Sequence, residues 1–298
     1  MTVRKVPHRP ERHDEEPQPQ PRPLAQRLAR AFEAPRARRA ALIPYLTGGY
    51  PDVQTCDRLV AELIAAGADI VELGIPFSDP IADGPVVQRS THAALTAGVT
   101  PDDVLALAAA HNGAVPFVLL TYLNTVLAYG PARFFARAAA VGVEALVVPD
   151  LPLDEAAGPT AALAAAAGGL AALAADHDVA LVPMATPTST DARLDLAAAA
   201  ATSFVYCVAV TGVTGARAEL DAQLPRLIGR LRVRTTAPLA VGFGISTPEQ
   251  AARVATLADG VIVGSALIDL VARSADADAA CAAAGNLARA VSAAIAER

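Results

Sequence analysis

The strand-like segment Ala68–Gly74 carries a glutamate where an apolar residue is expected. Side chains alternate between the two faces of a strand, so Glu72 shares a face with Ile70. Val71 and Leu73 then lie on the opposite face. Near the carboxyl end of an inward face, an ionised Glu72 costs desolvation energy unless it is paired or protonated. Two interpretations stay open: a structural ion pair inside the fold, or a general acid and base with a raised pKa.

Two aspartates follow in a loop stiffened by prolines, Ile75–Pro85. Asp79 precedes a proline and Asp83 precedes a glycine, and both pairs are ordinary turn chemistry. Asp83 follows Glu72 by eleven residues, which lets the loop fold back over the end of the strand. The loop therefore predicts either a simple turn or a second carboxylate placed beside Glu72.

Glycine-rich segments follow three of the later strand candidates in the sequence. They are Thr211–Gly215, Gly242–Ser246 and Val263–Ala266. Each glycine pair alone is explained by the needs of a turn. Backbone N–H groups in such loops and at a helix N-terminus bind phosphate without any lysine. Three glycine-rich loops at successive strand ends favour a phosphate site.

Aromatic residues lie at or just beyond several strand ends. Core filling explains each of them singly, and together they could line an aromatic pocket. They are Tyr45, Phe77, Tyr122, Tyr206 and Phe243.

The basic residues are almost all arginine, which excludes several kinds of enzyme. Of the 24 lysines and arginines only Lys5 is a lysine. Without a lysine in the core the chain forms no Schiff base and no P-loop. The five histidines lack HxH or HExxH spacing and the three cysteines lack a CxxC pair, so we expect neither metal nor disulfides. We expect an enzyme without cofactors, which works with carboxylates, hydroxyls and backbone amides.

Charge and hydropathy limit the partners. The formal net charge of −6 and the lack of a basic face argue against nucleic acid. No uninterrupted apolar run reaches the roughly eighteen residues of a membrane span, so we expect no membrane contact. Residues 1–24 are rich in Pro, Gln and charge and lack an apolar signal segment. They predict a disordered extension ahead of a single domain over 25–298.

Eight apolar strand candidates alternate with helical segments over about 250 residues, a size and order typical of a (β/α)8 TIM barrel. A doubly wound open sheet is the alternative, although no GxGxxG follows the first strand. The candidates are Ala41–Leu46, Asp69–Gly74, Pro116–Tyr122, Ala145–Pro149, Val179–Met184, Phe204–Ala209, Pro238–Val241 and Gly260–Gly264.

Helix signals separate these strands. Thr247 and Thr100 each precede a proline and predict capped helix starts. Pro131 predicts another start, and Gly142 can end that helix in the left-handed conformation. In the Ala-rich stretch 161–175, two adjacent glycines predict a break into two short helical pieces.

Several segments of the chain resemble a known family. The segments ADIVELGIPFSDPIADGPVVQ, LLTYLNTVLAYG, VVPDLP, TGVTGAR and GFGIS…GVIVGSALI are similar to the tryptophan synthase alpha subunit family. The resemblance runs from about Leu42 to the C-terminus. It implies a barrel that splits indole-3-glycerol phosphate into indole and glyceraldehyde 3-phosphate, in tryptophan biosynthesis in the cytoplasm.

The resemblance also implies roles for individual residues. Glu72 and Asp83 match the two catalytic carboxylates, and Asp79 lies in the loop that faces the beta subunit. The phosphate-binding positions are Gly215, Gly244, Gly264 and Ser265. The indole-pocket positions are Tyr45, Tyr122, Tyr206, Thr214 and Phe243.

The implied partner is a beta subunit, in an alpha-beta-beta-alpha heterotetramer. Ala209 stands where a serine is common, and the segment between Asp150 and Pro183 is longer than usual. Three alternatives stay open: another phosphate-sugar barrel such as an epimerase or isomerase, a barrel kept only to activate a beta subunit, and a stand-alone lyase that releases free indole.

Overall fold

The computed structural model describes residues 24–36, 39–151, 161–208, 217–242 and 244–296. Strands and helices alternate along the described chain, as the sequence predicts. The strands are β1 Ala41–Thr47, β2 Val71–Gly74, β3 Phe117–Leu120, β4 Val143–Val147, β5 Ala180–Val182, β6 Met184–Ala185, β7 Val205–Val208, β8 Leu239–Gly242 and β9 Gly260–Val263. The helices are α1 Leu24–Arg36, α2 Val53–Ala65, α3 Pro85–Thr96, α4 Pro101–Ala110, α5 Leu123–Tyr129, α6 Pro131–Ala140, α7 Ala161–Asp176, α8 Asp191–Ala200, α9 Arg217–Arg232, α10 Pro248–Ala255, α11 Ser265–Arg273 and α12 Ala277–Ala296.

The strands form one parallel sheet that curls into a TIM barrel. Their order is β5-β4-β3-β2-β1-β9-β8-β7-β6, and neighbouring strands in this order run parallel. The two ends of this order, β5 and β6, are separated in the chain by Pro183 alone. They are two halves of one interrupted strand, so the sheet meets itself there and the barrel closes.

The break at Pro183 explains why nine strand segments stand where eight candidates were predicted. Proline has no N–H to give to a strand ladder. Its carbonyl oxygen still accepts from the Tyr206 N–H at 2.9 Å, which keeps β7 joined to this part of the ring. The predicted strand Val179–Met184 is therefore present, but as two short pieces.

Alternation along the strands separates two apolar cores. Outward residues such as Val71 and Leu73 pack under the helices, whereas Ile70 belongs to the core inside the barrel. This confirms the alternation predicted for β2. Of the interior core, Leu28 and Phe32 come from α1, which contacts β1 and β4. Helix α1 thus covers the N-terminal end of the barrel and leaves the C-terminal end for chemistry.

Most of the predicted helix signals are confirmed. Thr247 and Thr100 each form a capping box at the start of α10 and α4. Pro131 begins α6, and Gly142 follows that helix with a φ of +82°. The predicted break at Gly168–Gly169 is wrong, because α7 runs unbroken across both glycines. Glycine costs roughly 1 kcal/mol in a helix relative to alanine, and the surrounding alanines and leucines sustain the helix.

Helix α12 is long and apolar enough to cross a membrane by length and composition alone. It packs on α2, α10 and α11. Its buried positions recur every three or four residues, at Ala280, Ala284, Ala288, Val291 and Ile295. That spacing is typical of a helix that lays one face on a protein core. The predicted tail, residues 1–24, lies outside the described residues except for its last position, where α1 begins.

Candidate active site

Glu72 lies on the inner face of β2, with Tyr45 of β1 as its register partner. It is 1% exposed, and neither carboxylate oxygen has a hydrogen-bond partner among the described residues. Burial raises the pKa of Glu72 to about 8, and the negative charge of Asp83 adds to the increase. The structural ion-pair interpretation therefore finds no support in the described part of the chain. A carboxyl in this state is protonated at neutral pH and can donate a proton.

Asp83 lies in the loop between β2 and α3, directly before Gly84 and Pro85 begin that helix. Its half-buried position raises the pKa to about 6, and a hydrogen bond from the Tyr122 side chain opposes this increase. The Tyr122 hydroxyl also accepts from the Ala82 N–H at 3.0 Å. One tyrosine therefore holds both the loop backbone and the carboxylate, and its donated proton favours the ionised form of Asp83.

The three predicted pocket tyrosines come together around these carboxylates. Tyr45 and Tyr206 are buried, and burial together with the charges of Glu72 and Asp83 raises the pKa of both phenols. The two hydroxyls lie against glycines: a Cβ on Gly74 would stand 2.2 Å from Tyr45 Oη, and one on Gly242 would stand 2.6 Å from Tyr206 Oη. Neither glycine can be replaced without moving a tyrosine.

Tyr122 completes this group from the end of β3. Its ring stacks on Phe77, with 5.2 Å between ring centroids. Phe77 belongs to the same loop as Asp83. Tyr122 therefore contacts this loop at two points, by stacking on Phe77 and by its hydrogen bond with Ala82. Thr214 and Phe243, the other predicted pocket residues, lie outside the described residues.

The predicted phosphate positions follow the last two strands. Gly264 is the N-cap of α11 and Ser265 is its first residue, directly behind β9. The first N–H groups of a helix have no partner within it and attract anions. Gly244 follows β8 with a φ of +82°, which favours glycine. Gly215 lies outside the described residues, so the structure describes three of the four predicted positions.

Tyr45 connects the carboxylates with this helix terminus. A Cβ on Gly264 would stand 3.0 Å from Tyr45 Cδ1, so the ring lies against the N-cap of α11. The hydroxyl of the same residue lies over Gly74 of β2. The site is therefore continuous from Glu72 to Gly264 across one side chain.

Asp79 lies on the outer side of the site. It is exposed, and its carboxylate accepts from Ser78 Oγ at 2.5 Å. Ile81, two residues on, is 81% exposed. Asp79 therefore does not join the buried group around Glu72.

Sequence reasoning missed one part of the site. Thr47, at the end of β1, and Ser90, in α3, form a buried hydroxyl pair with 2.6 Å between their oxygens. Thr47 lies two residues after Tyr45, so strand alternation could have placed it on the inner face. Nothing in the sequence indicated that Ser90 reaches it.

The geometry brings an acid and an anion together. Between about pH 6 and pH 8 the pKa values of Asp83 and Glu72 leave the first mainly ionised and the second mainly protonated. Two carboxyls with environments that separate their pKa values are typical of an acid–base site. Among the described residues, no group of three or more His, Cys, Asp or Glu is placed to hold a metal ion.

Known proteins share this sequence and fold. A family model for the tryptophan synthase alpha chain matches residues 32–295. The tryptophan synthase alpha chain of Chloroflexus aurantiacus is 46% identical over 251 residues, which cover 83% of this chain and 90% of that one. That of Carboxydothermus hydrogenoformans is 43% identical over 248 residues, covering 82% and 89%.

Solved structures agree. The structure of Mycobacterium tuberculosis tryptophan synthase gives a TM-score of 0.80 at 38% identity, covering 90% of this chain and 98% of that chain. The tryptophan synthase alpha chain of Legionella pneumophila subsp. pneumophila gives 0.77 at 33% identity, covering 90% and 97%. The chain therefore belongs to the tryptophan synthase alpha chain family.

Proposed function

We propose that Glu72 and Asp83 catalyse the alpha reaction of tryptophan synthase in this chain. The chain is a lyase of tryptophan biosynthesis, and it cleaves indole-3-glycerol phosphate into indole and glyceraldehyde 3-phosphate. The observation that supports the assignment is the pair of neighbouring carboxyls, Glu72 buried and Asp83 half-buried, with unequal pKa values at the C-terminal end of the barrel.

Glu72 moves the proton in both directions. In its protonated form it gives a proton to indole C3, which converts the ring into an indoleninium. The bond between C3 and the glycerol chain then breaks, and its electrons return to the ring. The hydroxyl on the adjacent carbon becomes the aldehyde and gives its proton to the Glu72 carboxylate. The acid is regenerated, and no metal or imine is needed to accept the electrons.

Asp83 stabilises the charge that this route creates. Protonation at C3 places positive charge on the ring, and much of it is shared with N1–H. The hydrogen bond from N1–H to an ionised carboxylate is strongest when that positive charge has developed. Asp83 therefore stabilises the transition state more than the ground state. The hydrogen bond from Tyr122 holds Asp83 ionised and in place.

The rest of the substrate has two binding regions. The rings of Tyr45, Tyr122 and Tyr206 surround the carboxylates and supply apolar surface for indole. We place the phosphate at the N-terminus of α11, on the amides of Gly264 and Ser265, with Gly244 and Gly215 as the other phosphate-binding positions. Thr214 and Phe243 are the remaining proposed residues of the indole pocket.

The first test replaces Glu72 by an isosteric amide. Glu72→Gln should lower kcat on the order of 10² to 10⁴, the usual contribution of one general acid or base. The matched control is Glu144→Gln. Glu144 is also fully buried, and burial raises its pKa to about 8, but it lies at the other end of the barrel.

Both variants should fold, and only Glu72→Gln should lose indole production. A Glu72→Gln rate within about threefold of wild type would remove Glu72 from the chemistry. Equal losses in the two variants would point to a general effect of removing a buried carboxyl.

A beta subunit is the partner that this family membership supports. We propose that the chain works in the alpha-beta-beta-alpha heterotetramer, in the cytoplasm, with the Asp79 loop in the contact. The loop offers the exposed Ile81 next to a cavity of about 320 Å³. The cavity is lined by Phe77, Ser78, Asp79, Pro80, Ile81, Gln88, His92 and Leu95. Three free cysteines, Cys56, Cys207 and Cys281, fit a reducing compartment.

The other candidate functions have less support. A stand-alone lyase that releases free indole is not favoured, because the relatives are tryptophan synthase alpha chains. A barrel kept only to activate its partner would not need Glu72 buried without a counter-charge. Measuring indole release by the purified chain separates that role from the lyase.

A further inference from the structure

The segment that follows β4 contains an acid that the proposed reaction does not use. Asp150 is partly buried, and its Oδ1 accepts a hydrogen bond from the Leu123 N–H at 2.8 Å, across 27 positions of the chain. The pairing of β3 with β4 brings the two residues together. Leu120 is in register with Val147, and the Thr121 N–H donates to the Val147 carbonyl oxygen at 3.0 Å. The sheet therefore carries the Asp150 carboxylate to the start of α5.

This hydrogen bond supplies an acceptor that the first turn of α5 needs. Tyr122 is the N-cap of this seven-residue helix, and its side chain forms no capping hydrogen bond. The first N–H groups of a helix have no partner within the helix. A carboxylate that accepts from one of them also complements the positive end of the helix dipole. Asp150 therefore takes the capping role that Tyr122 does not fill, and it fixes the backbone beside that tyrosine.

Tyr122 carries this constraint into the active site. Its side chain is 2% exposed, and its ring stacks on Phe77 with 5.2 Å between the ring centroids. Its oxygen accepts from the N–H of Ala82, the residue directly before Asp83, at 3.0 Å. Both contacts belong to the loop between β2 and α3. A shift of the backbone at Leu123 would move the adjacent Tyr122, and with it the ring and the hydroxyl that hold this loop.

We propose that Asp150 is a positioning residue of the alpha reaction, which fixes Tyr122 at the start of α5 and thereby the loop that carries Asp83. The proposal rests on the proposed role of Asp83 in the reaction. Asp150 acts on a backbone N–H and not on the substrate. What matters at this position is therefore an acceptor oxygen, and an uncharged amide should replace the carboxylate with little loss.

The test compares Asp150→Ala, which removes the acceptor, with Asp150→Asn, which keeps one. In Asp150→Ala kcat should fall on the order of tenfold, because a small displacement of a catalytic group is costly in rate. Asp150→Asn should recover most of that rate. The inhibition constant of glycerol 3-phosphate should not change in either variant, since the proposed phosphate region lies at α11. The matched control is Asp276→Ala: Asp276 Oδ1 also accepts a backbone N–H at 2.8 Å, that of Ala279 in α12, and its loss should leave kcat unchanged.

A double variant shows whether Asp150 acts through Tyr122. Tyr122→Phe removes the hydroxyl that holds the loop, so adding Asp150→Ala to it should lower kcat by less than about threefold. Should Asp150→Ala fold poorly, Asp150→Glu keeps the charge but displaces the acceptor, and its smaller loss should also shrink in Tyr122→Phe. The same loss in both backgrounds would overturn the proposal, as would an Asp150→Asn rate as low as that of Asp150→Ala. If Asp83→Asn kept full turnover, the proposed role of Asp83 would fail instead, and the two failures are distinct.

Discussion

Glu72 and Glu144 are two buried glutamates of one barrel, and burial raises the pKa of each to about 8. Glu144 has a cation near it, with Arg27 Nε 3.1 Å from its Oε1. Neither glutamate has a hydrogen-bond partner among the described residues, and no ion pair of Glu72 is found there. A raised pKa therefore does not identify a catalytic residue without its surroundings. The position of Glu72 at the C-terminal end of the barrel and the neighbouring Asp83 separate the acid from the structural carboxyl.

Asp83→Asn should lower turnover strongly, because a neutral amide stabilises the positive charge on indole N1 poorly. We expect a loss in kcat on the order of 10² with indole-3-glycerol phosphate at saturation. Tyr122→Phe is the matched comparison: it keeps the carboxylate and removes the proton donated to it. A change confined to KM in Asp83→Asn would make Asp83 a residue that only positions the substrate.

The pH dependence of turnover follows from the same two groups. The pKa of Asp83 is raised to about 6, so its charge is lost as the pH falls below that value. The pKa of Glu72 is raised to about 8, so its proton is lost as the pH rises above that value. The profile of kcat/KM should be bell-shaped, with its maximum between the two. Asp83→Asn should lose the acid limb of its residual activity and keep the alkaline one, and a flat wild-type profile would contradict both assignments.

At the scale of elements, α1 closes the end of the barrel that carries no chemistry. Phe32 is fully buried and its ring lies 5.3 Å from that of Phe204. It also lies against Gly260, where a Cβ would stand 2.9 Å from the Phe32 ring. The helix thus fills the barrel interior from below, although its sequence is outside the pattern of strands alternating with helices.

Phe32→Ala should leave a cavity under the barrel and lower the free energy of unfolding by about 3–5 kcal/mol. The measurement is chemical denaturation, with Glu33→Ala as the control, because Glu33 is exposed on the same helix. The control should change stability by less than about 0.5 kcal/mol. A similar small effect for Phe32→Ala would mean that α1 contributes little to the stability of the barrel.

The elements also show what could be predicted from the sequence. The alternation of Ile70, Val71, Glu72 and Leu73 predicted which side chains enter the barrel, because a strand buried on both faces has only two orientations. The split of one strand at Pro183 depends on how the ring closes. The course of α7 across its glycines depends on the whole helix. The contact between Thr47 and Ser90 joins residues 43 positions apart, so no local pattern could indicate it.

At the scale of the whole molecule, the two ends of the barrel have different roles. Two ion pairs lie at the N-terminal end, where Arg39 bonds the partly buried Asp69 and Arg232 bonds the buried Asp259, at 2.6 Å and 2.7 Å. Asp69 and Asp259 also accept from the backbone N–H groups of Leu42 and Leu239. The carboxylates at the opposite end, Glu72 and Asp83, have raised pKa values. Stability is concentrated at one end and reactivity at the other, as is usual for this fold.

We propose that a beta subunit covers the reactive end. Free indole is apolar and would diffuse away from an isolated barrel. A docked partner with a second active site would receive the indole directly and prevent this loss. A partner that prefers the closed form of the site shifts the equilibrium by its difference in affinity for the two forms. We predict low activity for the chain alone and at least a tenfold increase with a tryptophan synthase beta subunit, about 1.4 kcal/mol off the barrier.

Asp79→Ala tests which loop carries that effect. Asp79 is exposed and outside the group around Glu72, so its loss should reduce the activation by the beta subunit more than the basal rate. The control is Asp176→Ala. Asp176 is an exposed acid at the end of α7, and that helix leads into the opposite end of the barrel. The basal rate and the activated rate of this variant should both match wild type. Equal loss of basal and activated rates in Asp79→Ala would place Asp79 in the chemistry. If a beta subunit did not raise the rate of the wild-type chain, the stand-alone lyase would be favoured, because the Asp79 loop would then transmit no effect from a partner to the active site.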